Sequence, residues 1–288
     1  MPRTIRVQVP QVSDNPDGFN VILNFYNQML ASSNTIALDF RQTTFIEQHT
    51  INLTLALMYR LYKLNRLGTT IWPDRSNPII GHLNNIGFTR LPMNLRNASF
   101  GQQQTFQVYR HRNDRQLSDF LKDLWLGEKR WNASPALQTY IISKLLEIFL
   151  NGLEHSDSPL GIIVCAQFYP KLRELKLNVL DIGIGIPNNV RRYKMDESMT
   201  AEEALDWAFV SGNTTIKKGS LPRGIGLDLF SQLMRVNEGH LDLISNEGYL
   251  IFRGSEKSYS ELKSGFQGTM FHLVIKCDDA YYKLQGEA

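Results

Sequence analysis

Three polar residues, Glu147, Asn151 and His155, follow one another at intervals of four positions in the middle of the chain. In a helix, side chains four positions apart lie one above another along the same line. An amide oxygen can ligate Mg²⁺, and a carboxylate one turn away can orient or deprotonate a nucleophile. This spacing favours a cation and water site, although the solvated face of an ordinary amphipathic helix is the simpler interpretation of these residues alone.

The surrounding sequence predicts the helix that carries these residues. Ser134 followed by Pro135 provides an N-cap and a first helical residue. The apolar residues then recur with helical spacing and predict one buried stripe, made of Ile142, Leu145, Leu146, Phe149 and Leu153. We therefore predict a helix over residues 135–154, with its polar line beside the buried stripe.

A glycine-containing turn follows a predicted antiparallel hairpin of residues 161–168 and 174–180. Asp181 ends the second strand, and Gly183 and Gly185 come directly after it. Glycine lets the backbone approach a ligand closely. A carboxylate at this place can accept a hydrogen bond from an exocyclic amine such as that of adenine.

A second glycine turn opens another predicted helix, and its sequence is Arg223-Gly224-Ile225-Gly226-Leu227. Backbone N–H groups at such a helix start attract an anion, and the helix dipole adds to the attraction. The stretch before it is predicted to contain one helix, over residues 200–210, with Thr200 as N-cap to Glu203 and Trp207 among its apolar contacts. The segment after that helix contains Lys217 and is predicted to form a lid over phosphates, with an ordinary surface loop as the alternative. The third glycine and the βαβ context of a dinucleotide-binding fold are missing, so a Rossmann motif is excluded.

Three further strands are predicted as an antiparallel sheet that helices cover on one face, at residues 239–245, 249–252 and 268–275. Thr269 stands at the start of the last one, where its hydroxyl can reach a phosphate or can simply favour a strand.

Taken in order, these motifs resemble the conserved boxes of the GHKL ATPase superfamily, which includes DNA gyrase B, sensor histidine kinases and the anti-sigma-factor serine kinases. The resemblance covers residues 135–277 and implies a Bergerat-type α/β sandwich that binds ATP and Mg²⁺ under a lid. It implies that Asn151 ligates Mg²⁺, that Glu147 acts as base or positions water, and that Asp181 binds adenine.

The resemblance also implies a set of residues around the nucleotide. His155 has an ancillary role in it, and Thr269 assists near adenine or its bound water. The other implied nucleotide contacts are Gly183, Gly185, Lys217, Arg223, Gly224, Ile225, Gly226 and Leu227.

The first hundred residues alternate strands and helices, which predicts a parallel or mixed sheet. The run Ile36-Ala37-Leu38-Asp39-Phe40 and the long helix after it resemble the STAS domain of anti-sigma-factor antagonists, where a serine in the intervening turn is phosphorylated. Here that turn is Glu47-Gln48-His49-Thr50. The acceptor serine is missing, and Thr50 is predicted as a helix N-cap in preference to a displaced acceptor. The helix is predicted to end near Leu67-Gly68, where glycine suits a C-cap. The resemblance implies a docking or sensing module.

The predicted fold class is therefore α/β (α+β), with a mainly antiparallel C-terminal sheet. We expect a STAS-like domain over residues 1–98, a linker with an amphipathic helix over 99–134, and an ATP-binding domain over 135–288. His111 is followed by Arg112 and Asn113, and the helix predicted from residue 114 to 131 has no histidine. This argues against an autophosphorylating histidine kinase.

Composition sets further limits on function. A net charge of +3 gives no indication of a nucleic-acid partner. The sequence shows neither an apolar run long enough for a bilayer nor a secretory signal, so we expect a cytoplasmic protein without a membrane partner. Cys165 and Cys277 stand in apolar strands and are predicted to be buried.

From the sequence we expect an ATP-binding regulatory protein whose Mg²⁺-dependent ATP binding and slow hydrolysis to ADP are coupled to a protein partner, bound through the STAS-like half. Two alternatives remain open: a serine/threonine kinase of the anti-sigma-factor type, and an interaction module that nucleotide gates without hydrolysis. Homodimerisation also remains open.

Overall fold

The computed structural model describes residues 3–90, 105–126, 130–210, 213, 227–260, 262–284 and 286–287. The chain divides into two compact units, Met1–Val108 and Tyr109–Ala288.

The N-terminal unit contains a three-stranded parallel sheet with its strands in chain order. The strands are β1 (Thr4–Gln8), β2 (Thr35–Asp39) and β3 (Leu67–Ile71), and the helices are α1 (Pro16–Ala31), α2 (Gln48–Lys63) and α3 (Pro78–Asn85). The Asn15 side chain caps α1 and the Asn77 side chain caps α3, with a proline at the start of each helix. This arrangement confirms the predicted parallel sheet.

Two predicted helix ends in this unit are wrong. Thr50 is not an N-cap: α2 begins at Gln48, and Thr50 lies buried inside its first turn. Burial of this first turn outweighs the preference of threonine for a cap. The helix also ends before Gly68, because Leu64 is its C-cap and Asn65 takes the left-handed conformation.

The C-terminal unit has five helices among its described residues. They are α4 (Asp114–Asp119, continued by a π-helical segment, Phe120–Leu126), α5 (Pro135–Glu154), α6 (Ile186–Lys194), α7 (Ala201–Phe209) and α8 (Leu227–Asn237). Its strands are β5 (Ile162–Tyr169), β6 (Glu174–Asp181), β7 (His240–Asn246), β8 (Gly248–Arg253), β9 (Glu256–Tyr259) and β10 (Phe266–Lys276). These six strands form one sheet, and a seventh strand, β4 (Phe106–Tyr109), stands at its edge. The division between the two units falls inside β4.

The seven strands are ordered β4-β5-β6-β10-β7-β8-β9, so the last strand of the chain lies in the middle of the sheet. The pairs from β5 to β9 are antiparallel. Alternate residues on the central strands, such as Val179, Phe271 and Leu243, share a hydrophobic core with apolar residues of α5 and α8. The helices therefore cover one face of the sheet, and the predicted α+β class is confirmed.

Two elements of this unit were not predicted. Helix α6 begins directly after Gly185, in a stretch expected to contain one helix, at residues 200–210. Strand β9 is short and mostly exposed, and it extends the sheet beyond β8. The capping box predicted at Thr200 and Glu203 is confirmed at the start of α7.

Cys165 and Cys277 are both buried thiols, as predicted. Within the described residues, no helix combines the length and the hydrophobicity that a membrane span requires.

Candidate functional site

Three polar side chains lie in one row across the centre of the C-terminal sheet. Asp181 on β6 pairs with Thr269 on β10, and Thr269 pairs with Ser245 on β7. Because directly paired residues point to the same face of a sheet, these side chains all lie on the helix-covered face. The hydroxyl oxygens of Ser245 and Thr269 are 3.0 Å apart. The row places a carboxylate and two hydroxyls together at the end of an otherwise apolar core.

Asp181 is 5% exposed, so its carboxylate has little contact with water. Burial raises its pKa to about 7, against the opposing effects of hydrogen bonds from the Gly183 N–H and from the hydroxyl and N–H of Thr269. The Gly183 N–H lies 2.8 Å from Oδ1. A buried acid with a strongly raised pKa beside a cavity is typical of a functional site.

The turn after Asp181 passes very close to the end of α5. A methyl group at Gly183 would overlap the carbonyl oxygen of Ser156. The same carbonyl accepts a hydrogen bond from the Ile184 N–H at 2.7 Å. Glycine is thus required at position 183 by this close approach, which fixes Asp181 and the helix end relative to each other.

Gly185 is the N-cap of α6 and has φ of 81°, a conformation that favours glycine. It offers no capping side chain, and residues of β7 supply the missing acceptors. Ser245 Oγ accepts from the Ile186 N–H at 2.8 Å, and Asn246 Oδ1 accepts from the Asn188 N–H at 3.2 Å. Asn246 Nδ2 also donates to the Ile184 carbonyl at 3.0 Å. The start of α6 is therefore held by the sheet.

A cavity lies above this row, between the sheet and helices α5, α6 and α7. Its floor includes Asp181, Thr269 and the apolar side chains of the next row. Helix α5 contributes one wall, with Ile148, Asn151, Gly152 and His155 among the residues that line the cavity.

The opposite wall of the cavity comes from α6 and α7. Asn189 and Val190 line it from α6, and Trp207 lines it from α7. The Trp207 ring packs against Tyr193, with ring centroids 5.6 Å apart, and Lys194 Nζ lies 4.6 Å from the Trp207 centroid. The walls are thus largely apolar, and the polar groups lie at the floor, on α5 and, as Asn189, on α6.

Glu147 has a different environment from Asn151, although both lie on α5. Lys144 Nζ is 3.1 Å and 3.2 Å from the two Glu147 carboxylate oxygens. Glu147 is not among the residues that line the cavity. In this structure, its carboxylate is engaged by the neighbouring lysine one turn earlier.

The structure brings together five of the predicted residues as cavity-lining groups, and these are Asn151, His155, Asp181, Gly185 and Thr269. Gly183 lies next to them through its hydrogen bond to Asp181. Leu227 is the first residue of α8. Four glycine-turn residues and a lysine, Arg223, Gly224, Ile225, Gly226 and Lys217, lie outside the described residues.

Sequence analysis missed Ser245, Asn246 and Trp207 as site residues. Ser245 ends a predicted strand and Asn246 follows it, and only the pairing of β7 with β10 brings Ser245 to Thr269. Trp207 was assigned to the apolar face of its helix, and the spacing gave no signal that this face borders a cavity.

The chain matches no protein-family model and no curated protein. Among solved structures it is similar to a topoisomerase IV ATP-binding domain of Francisella tularensis in complex with a small-molecule inhibitor, with 12% identity and a TM-score of 0.30. The match covers 53% of this chain and 38% of that chain. Because the TM-score is this low, the interpretation of the cavity rests on its own residues.

Proposed function

We propose that the C-terminal unit binds ATP in the cavity above Asp181, with adenine against the sheet. The observation that supports this most is the register-matched pair of Asp181 and Thr269 at the cavity floor. A carboxylate oxygen can accept a hydrogen bond from the exocyclic amine of adenine, and the threonine hydroxyl can serve a ring nitrogen or a bound water.

The chemical character of the walls suits a purine. Ile148 on α5, Ile186 on α6 and Phe271 on the sheet line the cavity and offer apolar surface to the two faces of a flat ring. Sites of this kind combine mostly apolar walls with few polar groups that fix orientation. The buried Asp181 supplies the polar group that discriminates between bases.

We assign Asn151 to the phosphate end of the nucleotide. It lies on the same helix as His155, both line the cavity, and its amide oxygen is a suitable Mg²⁺ ligand. Bound Mg²⁺ would supply charge neutralisation of the phosphates. Magnesium usually keeps water and phosphate oxygens as further ligands, so a single protein ligand is consistent with its usual coordination. Lys217, Gly224 and Gly226 complete the proposed phosphate contacts.

The surroundings of Glu147 support slow turnover. A general base must reach the attacking water, and here both carboxylate oxygens contact Lys144. We therefore favour an ATP-binding regulatory protein that hydrolyses ATP slowly, with nucleotide binding coupled to a protein partner through a STAS-like N-terminal half. The same ion pair also favours the second candidate, a nucleotide-gated interaction module without hydrolysis.

The nature of the reaction is tested with γ-labelled ATP and Mg²⁺, using the full chain and a Glu147→Ala variant. We expect slow release of free phosphate by the wild type and less release by the variant, because the variant lacks the proposed base, which Lys144 holds in the wild type. Label transferred to a serine or threonine would show a kinase instead. Tight binding with neither product would show a nucleotide-gated module.

Asn151→Ala is expected to abolish Mg²⁺-dependent ATP binding, because it removes the proposed metal ligand. The measurement is ATP affinity with Mg²⁺ and with EDTA, and Asn132→Ala, outside the cavity, is the control. Unchanged Mg·ATP affinity in Asn151→Ala would show that the metal assignment is wrong.

A further inference from the structure

Ser245 is the last of the three residues in the row, and it also contacts the start of α6, directly after Gly185. Its hydroxyl oxygen lies 3.0 Å from Thr269 Oγ1, 2.9 Å from the Gly268 carbonyl oxygen and 2.8 Å from the Ile186 nitrogen. The side chain is fully buried, so water does not compete for these contacts. A buried hydroxyl with more partners than it has protons must choose among them.

We propose that Ser245 is a positioning residue for base recognition: by donating to Thr269 it directs the Thr269 hydroxyl onto Asp181, and so sets a preference for 6-aminopurine over 6-oxopurine nucleotides. This inference rests on the proposed function. Ser245 was not among the predicted site residues. The inference gives it control over whether Asp181 meets the base as an ionised acceptor or as a protonated donor.

Two arrangements of the hydroxyl protons differ in the direction of the hydrogen bond between Ser245 and Thr269. In the first, Ser245 donates to Thr269 Oγ1, Thr269 donates to the ionised Asp181, and the carboxylate accepts from the ligand. In the second, Ser245 donates to the Gly268 carbonyl, and Thr269 donates to Ser245. Thr269 then has no proton left for Asp181, so the ionised carboxylate loses one hydrogen bond and the protonated form is favoured, with its single proton available to the ligand.

The two arrangements favour different bases. An ionised Asp181 only accepts hydrogen bonds, which matches the 6-amino group of adenine. A protonated Asp181 can donate, which matches the 6-oxo group of hypoxanthine or guanine. Hydrogen bonds in a row polarise one another, so a donation from Ser245 strengthens the Thr269 hydroxyl as a donor to the carboxylate. Removing the Ser245 hydroxyl weakens the first arrangement selectively.

Ser245 also caps α6 through the Ile186 N–H, so its loss can loosen the site in a general way. A general loosening lowers the affinity for both kinds of purine nucleotide by similar factors. The ratio of ATP to inosine triphosphate affinity separates the two effects, because these ligands differ at purine position 6. The pH dependence of that ratio reports on the proton at Asp181.

The experiment measures dissociation constants of ATP and inosine triphosphate for the full chain, by calorimetric titration between about pH 6 and about pH 8. Variants are Ser245→Ala, Ser245→Cys (similar size, weak donor), Thr269→Val and the double variant Ser245→Ala/Thr269→Val. The matched control is Ser258→Ala, which removes a hydroxyl from the exposed strand β9.

We expect Ser245→Ala to reduce the ATP preference by about 5-fold, the value of one ordinary hydrogen bond, and Ser245→Cys to reduce it less. The preference for ATP over inosine triphosphate should develop at a higher pH in both variants, because Asp181 then ionises at a higher pH. The double variant should show the same ratio as Thr269→Val, because Ser245 acts through Thr269. Ser258→Ala should match the wild type.

Equal losses of ATP and inosine triphosphate affinity in the Ser245 variants would overturn the inference and leave Ser245 as a structural cap only. Additive effects of Ser245→Ala and Thr269→Val on the ratio would overturn it as well. If Ser245→Ala does not fold, Ser245→Cys and Thr269→Val carry the same comparison. A wild type that binds neither nucleotide would instead refute the proposed function itself.

Discussion

Asp181 shows how much a single residue depends on contacts that are distant in sequence. The Asp-x-Gly-x-Gly spacing predicted a carboxylate at a strand end, and the structure places it there. Its burial and its contact with Thr269 come from the pairing of β6 with β10, which the spacing cannot show. Ser245 escaped prediction for the same reason, since a serine at a strand end has no distinctive local pattern.

The raised pKa of Asp181 predicts a pH dependence of stability. Burial raises this pKa from its ordinary value of 3.8 to about 7, so folding favours the protonated form. The stabilising contribution is therefore fully present below about pH 4 and is lost as the pH rises through about 7. We expect Asp181→Asn to gain stability relative to the wild type over this interval, by about 1.4 kcal/mol for each unit of pKa shift that is removed.

Urea unfolding of both proteins without nucleotide, at about pH 5 and at about pH 8, measures this difference. Other titrating groups are common to the two proteins and cancel in the comparison. A difference in unfolding free energy that is the same at both pH values would contradict the raised pKa.

The elements of the site divide into those that local sequence specifies and those that it does not. Helix α5 was predicted because its cap, its first proline and its apolar stripe all lie within the helix itself, and the Ser134 side chain does accept from the Leu137 N–H. Helix α6 was missed because only two of its residues are buried and its capping acceptors come from β7. A helix held by another element leaves little local signal.

The close contact between the glycine turn and the end of α5 predicts the effect of Gly183→Ala. The added methyl group would overlap the Ser156 carbonyl oxygen, so the turn and Asp181 must move. We expect the melting temperature to fall and nucleotide affinity to drop by about 10-fold or more, since misplaced site residues are costly. Thermal unfolding and ATP titration measure both effects.

Gly81→Ala is the matched control for this substitution. Gly81 lies in α3, where a methyl group would meet nothing within 4 Å. Alanine is a better helix former than glycine, so this variant should keep or slightly increase its stability. Equal behaviour of the two variants would show that the contact at Gly183 is not required.

At the scale of the whole molecule, the alternation of predicted elements was enough for the fold class but not for the order of strands. The parallel sheet of the N-terminal unit follows from alternating strands and helices. In the C-terminal unit, the final strand β10 inserts between β6 and β7, which no local pattern indicates. That insertion creates the site, because it carries Thr269 between Asp181 and Ser245.

The two units also differ in what their residues allow us to propose. The C-terminal unit combines a cavity with a buried acid and an asparagine amide, which supports the proposal of a defined ligand. The STAS-like character of the N-terminal unit and its role in binding a protein partner stay predictions.

Calorimetric titration of the full chain with ATP and Mg²⁺, compared with the Asp181→Ala variant, tests most directly whether this cavity is an ATP site. We predict that the wild type binds one ATP per chain and that Asp181→Ala binds it at least about 10-fold more weakly, because the buried hydrogen-bonding group for adenine is lost. Absence of ATP binding by the wild type, or equal affinity in the variant, would contradict the proposed site.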